Sequence, residues 1–172
     1  MLYLNNNDFL WYNVAGDILK QKKLIIDIIN YIDSNIYTKI SIDNISNEFF
    51  FNKDYIMRLF KRELGITINQ YINYKRIYLS LNSIENSNDS ILYIALNYGF
   101  YSLEYYSEMF KNIIGVSPSK YRDYYKYRSN IDLDTFYKIN NNIIKLDNKI
   151  KFINEYKSII VRKDVLKLSI FK

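Results

Sequence analysis

The chain has 172 residues, enough for one or two small domains with real cores. Its net charge of +6 and pI near 9.2 favour a polyanionic partner. It contains no Cys and no His, which excludes a disulfide framework, a thiolate zinc site and a cysteine nucleophile, and removes the usual general base and the commonest metal ligand. No metal or cofactor is called for. An enzyme is the weakest reading, because no convergent pair of carboxylates offers a catalytic group. No apolar run approaches the roughly 18 residues that a membrane span needs. The opening MLYLNNNDFLWYNV lacks the charged and apolar regions of a signal peptide, so a cytoplasmic protein is expected. The 19 tyrosines accompany heavy use of Asn, Ile and Lys and are read as compositional bias, not as stacking platforms.

In chain order, residues 1–19 form a mixed polar and aromatic lead-in without a clear period. From Lys22 to Ile36 the apolar set Leu24, Ile25, Ile28, Ile29, Ile32 and Ile36 marks one face of an amphipathic helix. Ser41 reads as the N-cap of a short helix that carries Ile42 and Ile45 inward. A turn near Phe49–Phe51 leads to Asn52, a second N-cap, and to a helix over Lys53–Leu64. That helix is expected to bury Tyr55, Ile56, Leu59 and Phe60 and to stop at Gly65 in a left-handed C′ position. Thr67 and Gln70 have capping-box spacing and open a long helix to about Glu85. After a break at Asn86–Asp89, Ser90 caps a short helix that ends at Tyr98 and Gly99. Ser102 caps another that ends at Gly115. Ser117-Pro118 is an N-cap followed by proline at N1, starting a last helix to about Arg128. Residues 129–172 show patchy period-2 alternation in KIKFINEYKSIIVR and VLKLSIFK, which predicts two to four short strands, docked on the helices or incomplete.

These elements repeat. A shift of 49 superposes Ser41 on Ser90, Ile45 on Ile94 and Phe51 on Phe100. After one extra residue, a shift of 50 superposes Tyr55 on Tyr105, Phe60 on Phe110, Lys61 on Lys111, Gly65 on Gly115 and Tyr71 on Tyr121. One supersecondary unit has been duplicated, giving two helix-turn-helix units on a rigid spacer. Charge follows the repeat: residues 1–48 sum to −2, residues 49–128 to +4 and residues 129–172 to +4. The fold expected is mainly α, with a small β-rich C-terminal extension. Its parts are a lead-in (1–19), a double helix-turn-helix domain (20–128: first copy 41–65, linker helix 67–85, second copy 90–115) and the extension (129–172). Gly99 occupies a turn position that favours a left-handed residue. Its repeat partner is Phe50, so the first turn is either shaped differently or strained.

RLFKRELG at 58–65, INYKR at 72–76, IALNYGF at 94–100 and MFKNIIGVSPSKYR at 109–122 together carry a family likeness. The stretch Leu24–Arg122 resembles the DNA-binding domain of the AraC/XylS family of bacterial transcription regulators. The resemblance implies a second helix of each copy in the major groove, the two separated by roughly one DNA turn, about 34 Å. It implies a DNA contact set of Lys53, Asp54, Met57, Arg58, Lys61 and Arg62 on the first reading helix. On the second it implies Ser102, Leu103, Glu104, Ser107, Glu108 and Lys111.

Arg58 is the candidate for a bidentate base contact, with a solvated or core-edge arginine as its alternative. Asp54 and Glu104 share the N2 position, where a carboxylate also stabilises the helix dipole. Lys61, Arg62, Lys75 and Arg76 are expected on phosphates, and Arg122 on a phosphate or an acidic neighbour. Glu108 departs from the family pattern: it stands where the first copy has Arg58 and reads as a base contact, a salt-bridge partner or the mark of a weakened site.

A sensing barrel precedes this domain in many members. Only residues 1–19 do so here, so regulation is expected from abundance, from the C-terminal extension or from a partner. The function expected is a sequence-specific regulator of transcription, an activator, bound to double-stranded DNA, with RNA polymerase as a further partner. The competing reading is a protein-interaction module derived from such a domain, which binds RNA polymerase or another regulator.

Overall fold

The computed structural model describes the backbone of residues 6–127 and 132–170 and the side chains of residues 16–126 and 132–161. Among these residues every element is helical: α1 (Asn6–Ser34), α2 (Ile42–Phe49), α3 (Lys53–Leu64), α4 (Ile68–Asn86), α5 (Ile91–Asn97), α6 (Leu103–Ile114), α7 (Pro118–Tyr127) and α8 (Leu133–Ile170). The expected helix end near Arg128 and the chain ends at 1–5 and 171–172 lie outside the described residues.

The boundaries follow local chemistry. Ser41 accepts from the Asn44 amide while the Asn44 side chain returns to the Ser41 backbone, closing a capping box before α2. Asn52 accepts from Asp54 N at 2.8 Å, and Thr67 and Gln70 close a second box before α4. Gly65 and Gly115 end α3 and α6 in the left-handed region, at φ 72° and 101°.

Two hydrophobic cores result, one per unit. The first gathers Ile25, Ile28, Ile29, Ile32, Ile45, Ile56 and Phe60 from α1, α2 and α3. The second gathers Ile77, Ile84, Ile94, Tyr106 and Phe110 from α4, α5 and α6, and Phe100 from the turn between α5 and α6. Helix α4 serves both: it closes the first unit with Ile68, Tyr71 and Ile72 and opens the second with Ile77, Leu81 and Ile84. One polar device is repeated with the cores. Tyr71 donates to Asp33 on α1 at 2.6 Å, and its repeat partner Tyr121 donates to Glu85 on α4 at 2.5 Å. In each unit the helix before the motif offers a carboxylate to a tyrosine on the helix after it.

Three expectations are corrected. The C-terminal segment is not β-rich: Leu133–Ile170 is a single helix. Its buried residues Ile139, Leu146, Ile150, Ile153 and Ile160 recur at intervals of 7, 4, 3 and 7, a helical seam that outweighs the short alternations around it. The lead-in is helical from Asn6 onward, and α1 stops at Ser34, leaving Ile36 buried just beyond its end. Tyr55 and Tyr105 are half-buried; the fully enclosed neighbours are Ile56 and Tyr106.

Candidate nucleic-acid interface

Helices α3 and α6 are equivalent 12-residue elements, each entered through a short turn from α2 or α5 and each stopped by glycine. Residues at the same register bury the same face: Ile56, Phe60 and Leu64 on α3 match Tyr106, Phe110 and Ile114 on α6. Their outward faces therefore also correspond, and there the chemistry diverges.

On α3, Asp54, Met57, Arg58 and Lys61 are exposed, and among the described residues neither Arg58 nor Lys61 has a hydrogen-bond or ion-pair partner for its side chain. Lys53 is exposed and ion-paired with Asp43 on α2. Arg62 is tied to Glu63 at 3.0 Å and donates to Gln21 at 2.6 Å, so part of its guanidinium is committed within the protein. On α6, Ser102 spends its hydroxyl on the cap, accepting from Tyr105 N at 3.1 Å. Leu103 and Ser107 are half-buried. Glu104, Glu108 and Lys111 are exposed, and among the described residues no cation pairs with either carboxylate. The first outward face thus offers free cations and the second mainly free anions.

The structure ties Lys75, Arg76 and Arg122, expected on phosphates, to partners within the protein. Lys75 is largely buried and paired with Asp33 at 3.3 Å. Arg76 is 7% exposed; its Nε and Nη2 donate to the Ile36 and Thr38 carbonyls at 2.8 and 2.6 Å, and its guanidinium lies over the Phe100 ring. Burial lowers its pKa. This arginine leaves α4 and caps the end of α1, so it locks one unit to the other. Arg122 donates through Nε to the Ile84 carbonyl at 3.2 Å, with Nη2 buried.

The Arg76 lock explains the asymmetry of the two turns. Gly99 has φ 80°, and a Cβ there would sit 2.9 Å from the Arg76 guanidinium carbon and from the Ile36 carbonyl oxygen. Phe50 also adopts the left-handed region, at φ 57°, but it is 93% exposed and meets no such neighbour. The first turn has the predicted geometry and carries the strain in a bulky residue.

Sequence reasoning missed a matched pair of stacked rings at the entry to each outward helix. Phe51 stacks on Tyr55 with centroids 5.5 Å apart, and Tyr101 stacks on Tyr105 at 4.9 Å. Both pairs join the residue before the N-cap to the third residue of the helix, and they superpose at the repeat shift of 50. That correspondence was available in the sequence. Between the two units opens a cleft of about 630 Å³, lined among others by Lys39, Asn69, Asn73, Tyr101 and Tyr105. Among the described residues no cluster of acidic side chains could hold a metal ion, and no helix is long and apolar enough to cross a membrane.

Comparisons with known proteins agree with this architecture. A family model described as a helix-turn-helix domain matches residues 45–124. The multiple antibiotic resistance protein MarA of Escherichia coli K12 is 34% identical over 98 residues, covering 57% of this chain and 77% of MarA. The HTH-type transcriptional activator AarP of Providencia stuartii is 30% identical over 102 residues, covering 59% and 76%. Among solved structures, an AraC-type transcriptional regulator from Chromobacterium violaceum superposes with a TM-score of 0.54 at 23% identity. It covers 67% of this chain and 99% of that one, a likeness of fold.

Proposed function

Since the chain belongs to the AraC/XylS family of helix-turn-helix regulators, we propose that it is a sequence-specific DNA-binding regulator of transcription, acting as an activator. Residues 20–128 form the DNA-binding unit, with α3 and α6 laid in successive major-groove segments of one duplex. The observation that carries this reading is the duplicated scaffold, which presents two equivalent helices by their outward faces. Arg58, exposed and unpaired on the first of them, has the fork geometry to take guanine O6 and N7 together. Lys53, Lys61 and Arg62 flank it as phosphate contacts, and Asp54 and Met57 border the base-reading position.

On α6, Glu108 faces cytosine N4 or no base at all, so the first unit supplies most of the affinity. Lys111 is the remaining phosphate contact there. Glu104, Ser102, Leu103 and Ser107 shape the contact surface without adding positive charge. Hydroxyl-radical footprinting on a genomic fragment selected by this protein tests the reading. Two protected segments about one helical turn apart, roughly 10 bp, are expected. One short segment, or none, overturns the two-reader model.

A second reading draws on the exposed carboxylates of Glu104 and Glu108, unpaired among the described residues, and on the exposed Tyr101 stacked on Tyr105 of the same helix. In that reading α6 binds RNA polymerase or another regulator while α3 holds DNA. Substituting Glu104 and Glu108 would then abolish activation and leave the footprint intact.

A further inference from the structure

Helix α8 lies wholly beyond the residues matched by the helix-turn-helix family model, yet it is seated in both hydrophobic cores, which among the other described elements only α4 is. We infer that α8 is a rigid spacer that fixes the separation of the two reading helices and thereby sets the half-site spacing the protein accepts. This inference rests on the DNA-binding reading for its consequence, but its structural content stands apart from it.

The ties fall in two groups along one helix. Its first half docks on the second unit. Ile139 and Leu146 enter that core, Asn142 donates to the Ile114 carbonyl at the end of α6 at 3.1 Å, and Lys138 and Asn142 crowd Gly115. Its second half docks on the first unit. Ile150 and Ile153 enter that core, Tyr156 donates to Glu63 on the last turn of α3 at 3.2 Å, and Lys157 bonds Asp33 at 3.1 Å. Both reading helices are thus gripped at their C-terminal ends by one continuous rod.

Without α8 the units would be joined by α4 and by the contacts of Arg76, Asn73–Tyr105 and Tyr37–Tyr98 around the open cleft. That arrangement leaves α4 as a pivot. Rigid as it is along its length, α4 alone leaves the two units able to rotate about its own axis; α8 crosses the same two bodies along a second line and removes that rotation. A protein held at one reader separation pays DNA deformation energy for any other half-site spacing.

The rod can be cut between its two docking halves. Asn148 is exposed, makes no side-chain hydrogen bond, and lies between Leu146 in one core and Ile150 in the other. Asn148→Pro removes a helical hydrogen bond there and breaks the rod without touching either core, while Asn148→Ala keeps it. The chain contains no cysteine, so Lys61→Cys with Lys111→Cys gives two unique spin-label sites, one on each reader.

Pulsed dipolar spectroscopy of the full chain without DNA should give one narrow distance. The width should be unchanged by Asn148→Ala and about doubled by Asn148→Pro. Insertion of Gly-Ser-Gly after Asn148 should broaden it in the same way, which separates a hinge from damage done by proline. An unchanged width in both broken variants, each with circular dichroism showing an intact fold, overturns the spacer. On duplexes with half-sites moved by one base pair, the intact chain should prefer one spacing by about tenfold and the broken variants by less than about threefold. Broadening without binding to any duplex would leave the spacer standing and refute the DNA-binding reading; equal spacing preference in all forms would refute the spacer's role in site choice.

Discussion

At the scale of single residues, the proposed division of affinity between the copies rests on the inversion from Arg58 to Glu108. Both are exposed at the same register of equivalent helices, and neither is paired within the protein. Arg58→Ala should weaken specific DNA binding by about 1–3 kcal/mol and relax the preference at one base pair. Glu108→Ala should leave affinity equal or slightly higher, because it removes a charge of the wrong sign near phosphates. Fluorescence anisotropy on one operator and its single-base variants measures both; a larger loss from Glu108→Ala would reverse the ranking of the units. Arg58 could be singled out from the sequence because a repeat aligns outward positions with outward positions. The internal partners of Arg76, Lys75 and Arg122 were not legible for the complementary reason. A cation that ties separate elements together looks, in sequence, the same as one that faces solvent, and only the position of Ile36, Thr38, Asp33 and Ile84 tells them apart.

At the scale of elements, the six helices from α2 to α7 were legible, most of them because their ends carry local signals, whereas only the second half of α1 was. Ser41, Asn52, Thr67, Ser90 and Ser102 each accept an amide of the first helical turn, as their spacing predicts. Helix α8 was not legible, because its seam is spaced at sevens, fours and threes while Ile-rich stretches such as KIKFINEY imitate strand alternation over a short window. What keeps it helical is tertiary: two cores lie along its length.

The turns allow a sharper test. Phe50 sits in the left-handed region in open solvent, so Phe50→Gly should raise unfolding stability by about 1 kcal/mol once the backbone strain is relieved. Gly99→Ala combines the same strain with a clash against Arg76 and should lower stability by at least about 1 kcal/mol. Chemical denaturation of the two variants checks the opposite signs; a destabilising Phe50→Gly would mean that the Phe50 ring has a role the fold alone does not give it.

At the scale of the whole molecule, two helix-turn-helix units share α4, are locked by Arg76 and are strapped by α8. Asp33 gathers the polar side of this assembly, taking Tyr71 from α4, Lys75 from α4 and Lys157 from α8. The buried phenols make the assembly sensitive to alkali. Burial raises the pKa of Tyr71, Tyr106, Tyr121 and Tyr156, with Asp33, Glu85 and Glu63 adding to the effect at Tyr71, Tyr121 and Tyr156. A phenol whose folded pKa is raised is stabilising below its unfolded value, near pH 10, and the stability is lost as pH rises through the folded value. The melting temperature should therefore fall steeply above about pH 10. Tyr71→Phe should reduce that slope, and a slope unchanged by the substitution would show that Tyr71 ionises without cost.

The duplicated outward face is proposed to bind the DNA backbone and to read bases from it. Equilibrium binding to a selected genomic fragment, titrated between about 50 and 200 mM salt, tests it most directly. With Arg58, Lys61 and the flanking cations on phosphates and bases, affinity should fall steeply and log-linearly with salt, and Lys61→Ala should reduce the slope by about one. Binding that is absent, or that stays constant across the titration, would contradict the account.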